Sequence, residues 1–139
     1  MSYFIDTNIF LRILVKEDKK TFKECYHFLK SVDAKKIKAI TSSLVLAEID
    51  WVLESFYKFK KAEVIKCLKS ILKLKGLKMI DNIDISSAVE FYRKYNVKFI
   101  DALIASNPEI YRGNIILISY DKDFDKIEGV VRKTPEKCE

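Results

Sequence analysis

Short, continuously apolar runs alternate along this chain with stretches whose apolar residues recur at a period near 3.6. Tyr3, Phe4 and Ile5 form a short apolar run that reads as a buried strand. Helical spacing follows at residues 9–15 and again at 21–32, where Phe22, Cys25, Phe28, Leu29 and Val32 recur on one face. After a polar segment, residues 39–41 read as a second strand. Ser42 or Ser43 then suits the N-cap of a helix over 44–57. Residues 61–74 carry a stripe of Val64, Ile65, Leu68, Ile71 and Leu72, with Gly76 as a plausible stop. A strand is expected at 77–80, and Asp84 can cap a helix over 85–95. Another helix begins near Phe99, and Pro108 kinks or ends it. Ile115, Ile116, Leu117 and Ile118 make the continuous apolar run of a central parallel strand. A turn at 121–124 leads into a short helical piece, Val130 and Val131 suggest a last strand, and residues 133–139 are expected to fray.

Strand and helix thus alternate with no internal repeat and no linker-like stretch. That pattern predicts an α/β fold: one three-layer α/β/α domain over residues 1–139, with a central, mainly parallel sheet.

Composition narrows the class. With 49% hydrophobic and 33% charged residues, and only 3 Gly and 2 Pro, the chain fits a globular domain rather than a disordered one. No apolar run is long enough for a bilayer, and no signal-peptide pattern opens the chain, so a cytoplasmic protein without a membrane partner is expected. The cysteines Cys25, Cys67 and Cys138 are widely spaced, and His27 is the single histidine, which leaves no zinc-type spacing. A net charge of +6 favours a polyanionic partner such as nucleic acid, although a solvated, Lys-rich surface gives the same sum.

Four acids occupy comparable places in this pattern. Asp6 follows the first strand, in the triplet Asp6-Thr7-Asn8. Glu48 interrupts an otherwise apolar helical run, offset from an expected core stripe of Val45, Ile49, Val52 and Phe56; Asp101 lies between Phe99-Ile100 and Ala102-Leu103-Ile104-Ala105, and Asp121 follows the last long apolar run. Each has an ordinary explanation alone. Asp6 and Asp121 suit caps or turns, Glu48 could share a solvated face with Asp50, and Asp101 at a helix N-terminus gains about 0.3–1 kcal/mol from the dipole. In a parallel sheet, however, they converge at the C-terminal edge of the strands, where open α/β sheets bind ligands. Four carboxylates together are costly without a cation, and an all-oxygen donor set points to Mg2+ or Mn2+.

The segments Phe4-Ile5-Asp6-Thr7-Asn8, Glu48 within the helix opened by Thr41-Ser42-Ser43, Phe99-Ile100-Asp101-Ala102-Leu103-Ile104-Ala105 and Leu117-Ile118-Ser119-Tyr120-Asp121-Lys122-Asp123-Phe124 occur in an order and spacing that resembles a PIN-domain ribonuclease, and above all the VapC-type toxin of a VapBC toxin–antitoxin pair. The resemblance covers nearly the whole chain. It departs at Ser119, where the family usually has Thr. It implies that Asp6, Glu48, Asp101 and Asp121 hold divalent metal for RNA phosphodiester hydrolysis, with Asp123 as an accessory ligand. Asp6, Asp101 and Asp121 would bind directly, while Glu48 would act through water. Thr7, Asn8 and Ser119 would hydrogen-bond the carboxylates from behind.

Lys58, Lys60, Lys61, Lys66, Lys69 and Lys73, interleaved with Tyr57 and Phe59, are candidate RNA contacts, with ordinary solvated lysines as the competing explanation. Apolar residues nearly all round the 44–56 helix, including Leu44, Trp51 and Leu53, suggest a homodimer; the family resemblance adds a VapB-type antitoxin as partner. Four other functions fit less well. A housekeeping PIN nuclease shares the acids and differs in substrate. A non-catalytic RNA-binding module would use the acids only as caps. A phospho-acceptor domain needs an acidic pair after the first strand, which Asp6-Thr7 does not supply, and a DxDxT phosphatase would place its acids there rather than at Asp121-Lys122-Asp123.

Overall fold

The computed structural model describes residues 2–138. Strand β1 (Ser2–Ile5) lies at the centre of a five-stranded, wholly parallel sheet ordered β3-β2-β1-β4-β5, with β2 (Lys38–Thr41), β3 (Leu77–Met79), β4 (Ile116–Ile118) and β5 (Arg132–Lys133). The central place of β1 and β4 follows from their composition, because Phe4, Ile5 and all of Ile116, Leu117 and Ile118 are buried. Seven helices flank the sheet among the described residues: α1 (Thr7–Leu14), α2 (Lys19–Asp33), α3 (Ser43–Ser55), α4 (Lys61–Leu72), α5 (Ile85–Lys94), α6 (Phe99–Ala105) and α7 (Pro108–Tyr111). This is the three-layer α/β/α arrangement expected from the alternation of strand and helix patterns. None of these helices is long and apolar enough to cross a membrane.

Strand order places the site. From β1 the chain steps outward through β2 and β3 on one side, then returns to add β4 and β5 on the other. The connections leaving the C-terminal ends of β1 and β4 therefore part, and a crevice opens between them. This is the switch point where parallel sheets bind ligands.

Several expectations need correction. The last strand is Arg132–Lys133 rather than Val130 and Val131; it is a short polar edge strand without an apolar signature. On α3 the inward row is Val45, Ile49 and Leu53, at a spacing of four, so Leu53 is buried, Val52 is only half-buried, and Phe56 at the helix end is 72% exposed. Pro108 does not kink a long helix. α6 stops at Ala105, and Pro108 opens α7 behind Asn107, whose side chain accepts from Glu109 N at 3.0 Å. α4 ends at Leu72, four residues before Gly76. Gly76 instead lets the chain pass α2, since a Cβ there would lie 2.2 Å from the Val32 carbonyl oxygen. Where fraying is expected from residue 133, Lys133 is in β5 and a 3-10 turn, Pro135–Lys137, packs against α2 with Pro135 buried. Glu139, the end of that segment, lies outside the described residues.

Candidate active site

The strand-end acids meet because β1 and β4 are neighbours. The backbone N–H of Asp6 donates to the Ile118 carbonyl at 3.0 Å, which locks the two strand ends together. Asp6 itself is the N-cap of α1, and its Oδ1 accepts from Thr7 N at 2.8 Å. Its Oδ2 accepts from Ser119 Oγ at 2.6 Å and from Asn8 Nδ2 at 3.2 Å. Asn8 also reaches Ser119 Oγ at 3.1 Å and accepts from Tyr120 N at 3.2 Å, while Asp121 N donates to Ser119 Oγ at 3.0 Å. Asn8 and Ser119 thus clamp the loop after β4 onto the start of α1, with Asp6 at the centre.

Glu48 comes from α3, which packs against α1, and its Oε1 accepts from Thr7 Oγ1 at 2.5 Å. Asp101 lies in the first turn of α6 and is only 6% exposed. Its Oδ2 is buried and has no hydrogen-bond partner. One carboxylate oxygen from each of Asp101, Asp121 and Asp123 lies within 4.8 Å of the other two. Asp6, Glu48, Asp101 and Asp121 border one cleft of about 150 Å³ with Thr7, Asn8, Leu11, Val52 and Lys98. Asp121 caps the 3-10 turn Lys122–Lys126 by accepting from Asp123 N at 2.9 Å, and Asp123 forms an ion pair with Lys126 at 2.8 Å. Asp121 therefore belongs to the cleft wall and Asp123 to its rim.

The electrostatics are those of crowded, desolvated acids. Burial pushes Asp6 up to about 6; hydrogen bonds from Ser119 and Thr7 oppose the rise, and the charges of Glu48 and Asp121 add to it. Asp101 is pushed up to about 7 by burial and by the charges of Asp121 and Asp6, with Lys98 pulling the other way. A buried carboxylate oxygen without a donor is expensive to leave unpaired. Beside further carboxylates, and with no His or Cys lining the cleft, it suits a hard divalent cation.

The six sequence-nominated lysines are elsewhere. Lys58, Lys60, Lys61, Lys66, Lys69 and Lys73 are exposed, on α4 or on the turns that flank it, and none lines the cleft. Tyr57 and Phe59 are partly buried against the core, and Tyr57 Oη donates to Glu17 at 3.1 Å. Two basic residues that the sequence reading omits are at the site. Lys98 occupies the N-cap position of α6 and lines the cleft, three residues before Asp101. Arg132 on β5 donates to the Ser119 carbonyl at 2.9 Å and pairs with Asp125. Proximity of Lys98 to the Asp101 motif was a usable signal; nothing local marks Arg132.

The family model for the PIN domain matches residues 3–130. No curated protein matches the sequence. Among solved structures, a chain of VapBC2 from Rickettsia felis, bound to a DNA fragment from their promoter, superposes with a TM-score of 0.70 at 25% identity, over 96% of this chain and 98% of that one. VapC20 from Mycobacterium tuberculosis, a Sarcin-Ricin loop cleaving toxin, gives 0.65 at 17% identity, over 88% and 92%. A Pyrobaculum aerophilum protein gives 0.64 at 12% identity, over 95% and 89%. The last two likenesses are of fold.

Proposed function

This chain belongs to the PIN-domain family, and from that premise we propose that it is a Mg2+- or Mn2+-dependent endoribonuclease, the toxin of a type II toxin–antitoxin pair. The observation that carries the reading is the unpartnered, buried Oδ2 of Asp101 beside Asp121 and Asp123, in a cleft shared with Asp6 and Glu48. Asp6, Asp101 and Asp121 would hold the cation, Glu48 would reach it through water, and Asp123 would support it from the rim. In that place a divalent ion supplies Lewis acidity for the attacking water and offsets charge on the leaving oxygen.

The protein's own groups do the rest. Ser119, Asn8 and the Thr7 amide hold the Asp6 carboxylate in one orientation, so little rearrangement is needed when substrate arrives. Thr7 holds Glu48 toward the cleft, where its free oxygen can orient a water. Lys98 brings positive charge to a cleft that would otherwise repel a phosphodiester.

The likeness to VapBC2 and VapC20 supports a VapB-type antitoxin as partner and RNA as substrate. Exposed Trp51 and Phe56 near the end of α3, with Ile85, Val89 and Tyr92 on α5, support a homodimer; the expected compartment is the cytoplasm. Calorimetric titration of Mg2+ and Mn2+ into the wild-type chain and into Asp101→Asn tests the metal. Binding that Asp101→Asn weakens sharply fits the nuclease, whereas heat-silent titrations of both proteins would favour a non-catalytic RNA-binding module.

A further inference from the structure

The sheet register sets Ser2 beside Lys38 and Ile40 beside Lys78, so Ser2 and Phe4, Lys38 and Ile40, and Lys78 share one face. In a parallel sheet covered by helices on both sides, such positions are apolar throughout. Here only the inner positions of this face conform. Phe4 and Ile40 are buried, and Phe4 borders the same small void as Leu103 and Ile104 of α6. Lys38, two residues back on β2, and Lys78, beside Ile40 on the edge strand β3, are both exposed.

Lys35 and Lys75 join them from the loops before β2 and β3. The four lysines border an open groove of about 430 Å³ whose lining includes Ile40 and Ile80 and no acid. None of the four forms an ion pair among the described residues. Lys38 and Lys78 are diagonal neighbours on the same face, a distance of roughly 7–8 Å at which like charges repel. An anion between them turns that repulsion into attraction.

We propose that this groove is a second RNA-binding site, which holds the sugar–phosphate backbone of a folded substrate RNA away from the cleft; the proposal rests on the ribonuclease reading given above. The chemistry is that of backbone contact, since lysines are mobile point charges suited to phosphate rather than to reading bases. Distance permits joint use. Lys38 lies beside Ser2, four residues before Asp6 on β1, so groove and cleft are about 15 Å apart along and across the strands. A stem-loop cut in the cleft spans that separation, and the groove would favour folded RNA over short unstructured pieces.

The test is anisotropy of a labelled stem-loop RNA with the full chain in EDTA, across a salt series. Lys38→Ala/Lys78→Ala should weaken binding several-fold and flatten the plot of log affinity against log salt by about 2. Lys66→Ala/Lys69→Ala, which removes the same charge from α4, should change it far less, and Lys38→Arg/Lys78→Arg should restore it. Equal losses from both alanine pairs, or no loss from either, overturns the groove. So does displacement of the RNA by polyglutamate more readily than by the same RNA unlabelled, which would indicate an acidic protein partner. Cleavage with added Mg2+ or Mn2+ is read in parallel. Groove-dependent binding without cleavage by any preparation refutes the ribonuclease reading alone; cleavage with no groove dependence refutes the groove alone.

Discussion

Ser119 Oγ donates to Asp6 Oδ2 at 2.6 Å, joining side chains that are 113 positions apart in sequence. The bond lowers the proton affinity of Asp6 against the opposing effect of burial, and it fixes the carboxylate between the ends of β1 and β4. Ser119→Ala should push Asp6 further up and weaken divalent-metal affinity by about 10–100-fold, with a matching loss of kcat/KM. Ser119→Thr keeps the hydroxyl and should stay near wild type. Metal titration and cleavage kinetics on the two variants check this; equal behaviour of Ala and Thr would contradict it.

Asp6 and Asp101 give the metal-free protein an unusual pH response. Their folded-state values, about 6 and about 7, lie above the ordinary 3.8, so between pH 4 and 7 the folded chain binds protons that the unfolded chain has released. Their contribution to stability is complete below about pH 4 and is lost as pH rises through 6 to 7. Asp125, held low by Arg132, acts in the opposite sense but mainly below pH 4. Thermal melts in EDTA should therefore give a lower Tm at pH 8 than at pH 5. Mg2+ or Mn2+ should close the gap at pH 8, where the acids are ionised and can bind it. Asp6→Asn should stabilise the metal-free chain at pH 8 by roughly 1–3 kcal/mol while abolishing cleavage. A Tm that rises from pH 5 to 8 without metal would contradict the assignment of buried, crowded acids.

Much of this was legible in the sequence, and the rest fails for physical reasons. β1 and β4 stand out because strands buried on both faces must be continuously apolar, and the acids that follow them take turn and cap positions. Glu48 stands out as a charge in an apolar helix. β5 does not, because an edge strand of Arg132 and Lys133 needs no apolar residue. The inward face of α3 was misphased because rows at spacings of three and four both fit an almost wholly apolar helix, and only the neighbouring α1 and α4 select Leu53 over Phe56. The α4 lysines were nominated by their number. Position distinguishes Lys98 at the cleft and Lys38 and Lys78 on the open sheet face, and position comes from register.

Gly76 should tolerate no side chain. A Cβ would sit 2.2 Å from the Val32 carbonyl oxygen and 2.9 Å from that of Ile37, both backbone atoms that cannot swing away. Gly76→Ala should cost about 1–3 kcal/mol through forced displacement of β3 from the end of α2. Chemical denaturation measures it, and an unchanged midpoint would show that the segment yields freely.

The apolar surface on α3 and α5 should determine assembly. Trp51 is 67% exposed, and Val89 and Tyr92 are more than half exposed. Sedimentation of the wild-type chain should show a dimer, and Trp51→Glu/Val89→Glu should yield a folded monomer with an unchanged circular dichroism spectrum. A wild-type monomer at tens of micromolar, about the concentration where ordinary dimers form, would count against these residues as an interface.

The most direct test of the central claim is cleavage of a labelled RNA by the purified chain with Mg2+ or Mn2+, with EDTA, and with Asp6→Asn and Asp101→Asn alongside. The account predicts cleavage that needs the divalent ion and is lost in both variants. Cleavage that persists in EDTA, or in either variant, would contradict it.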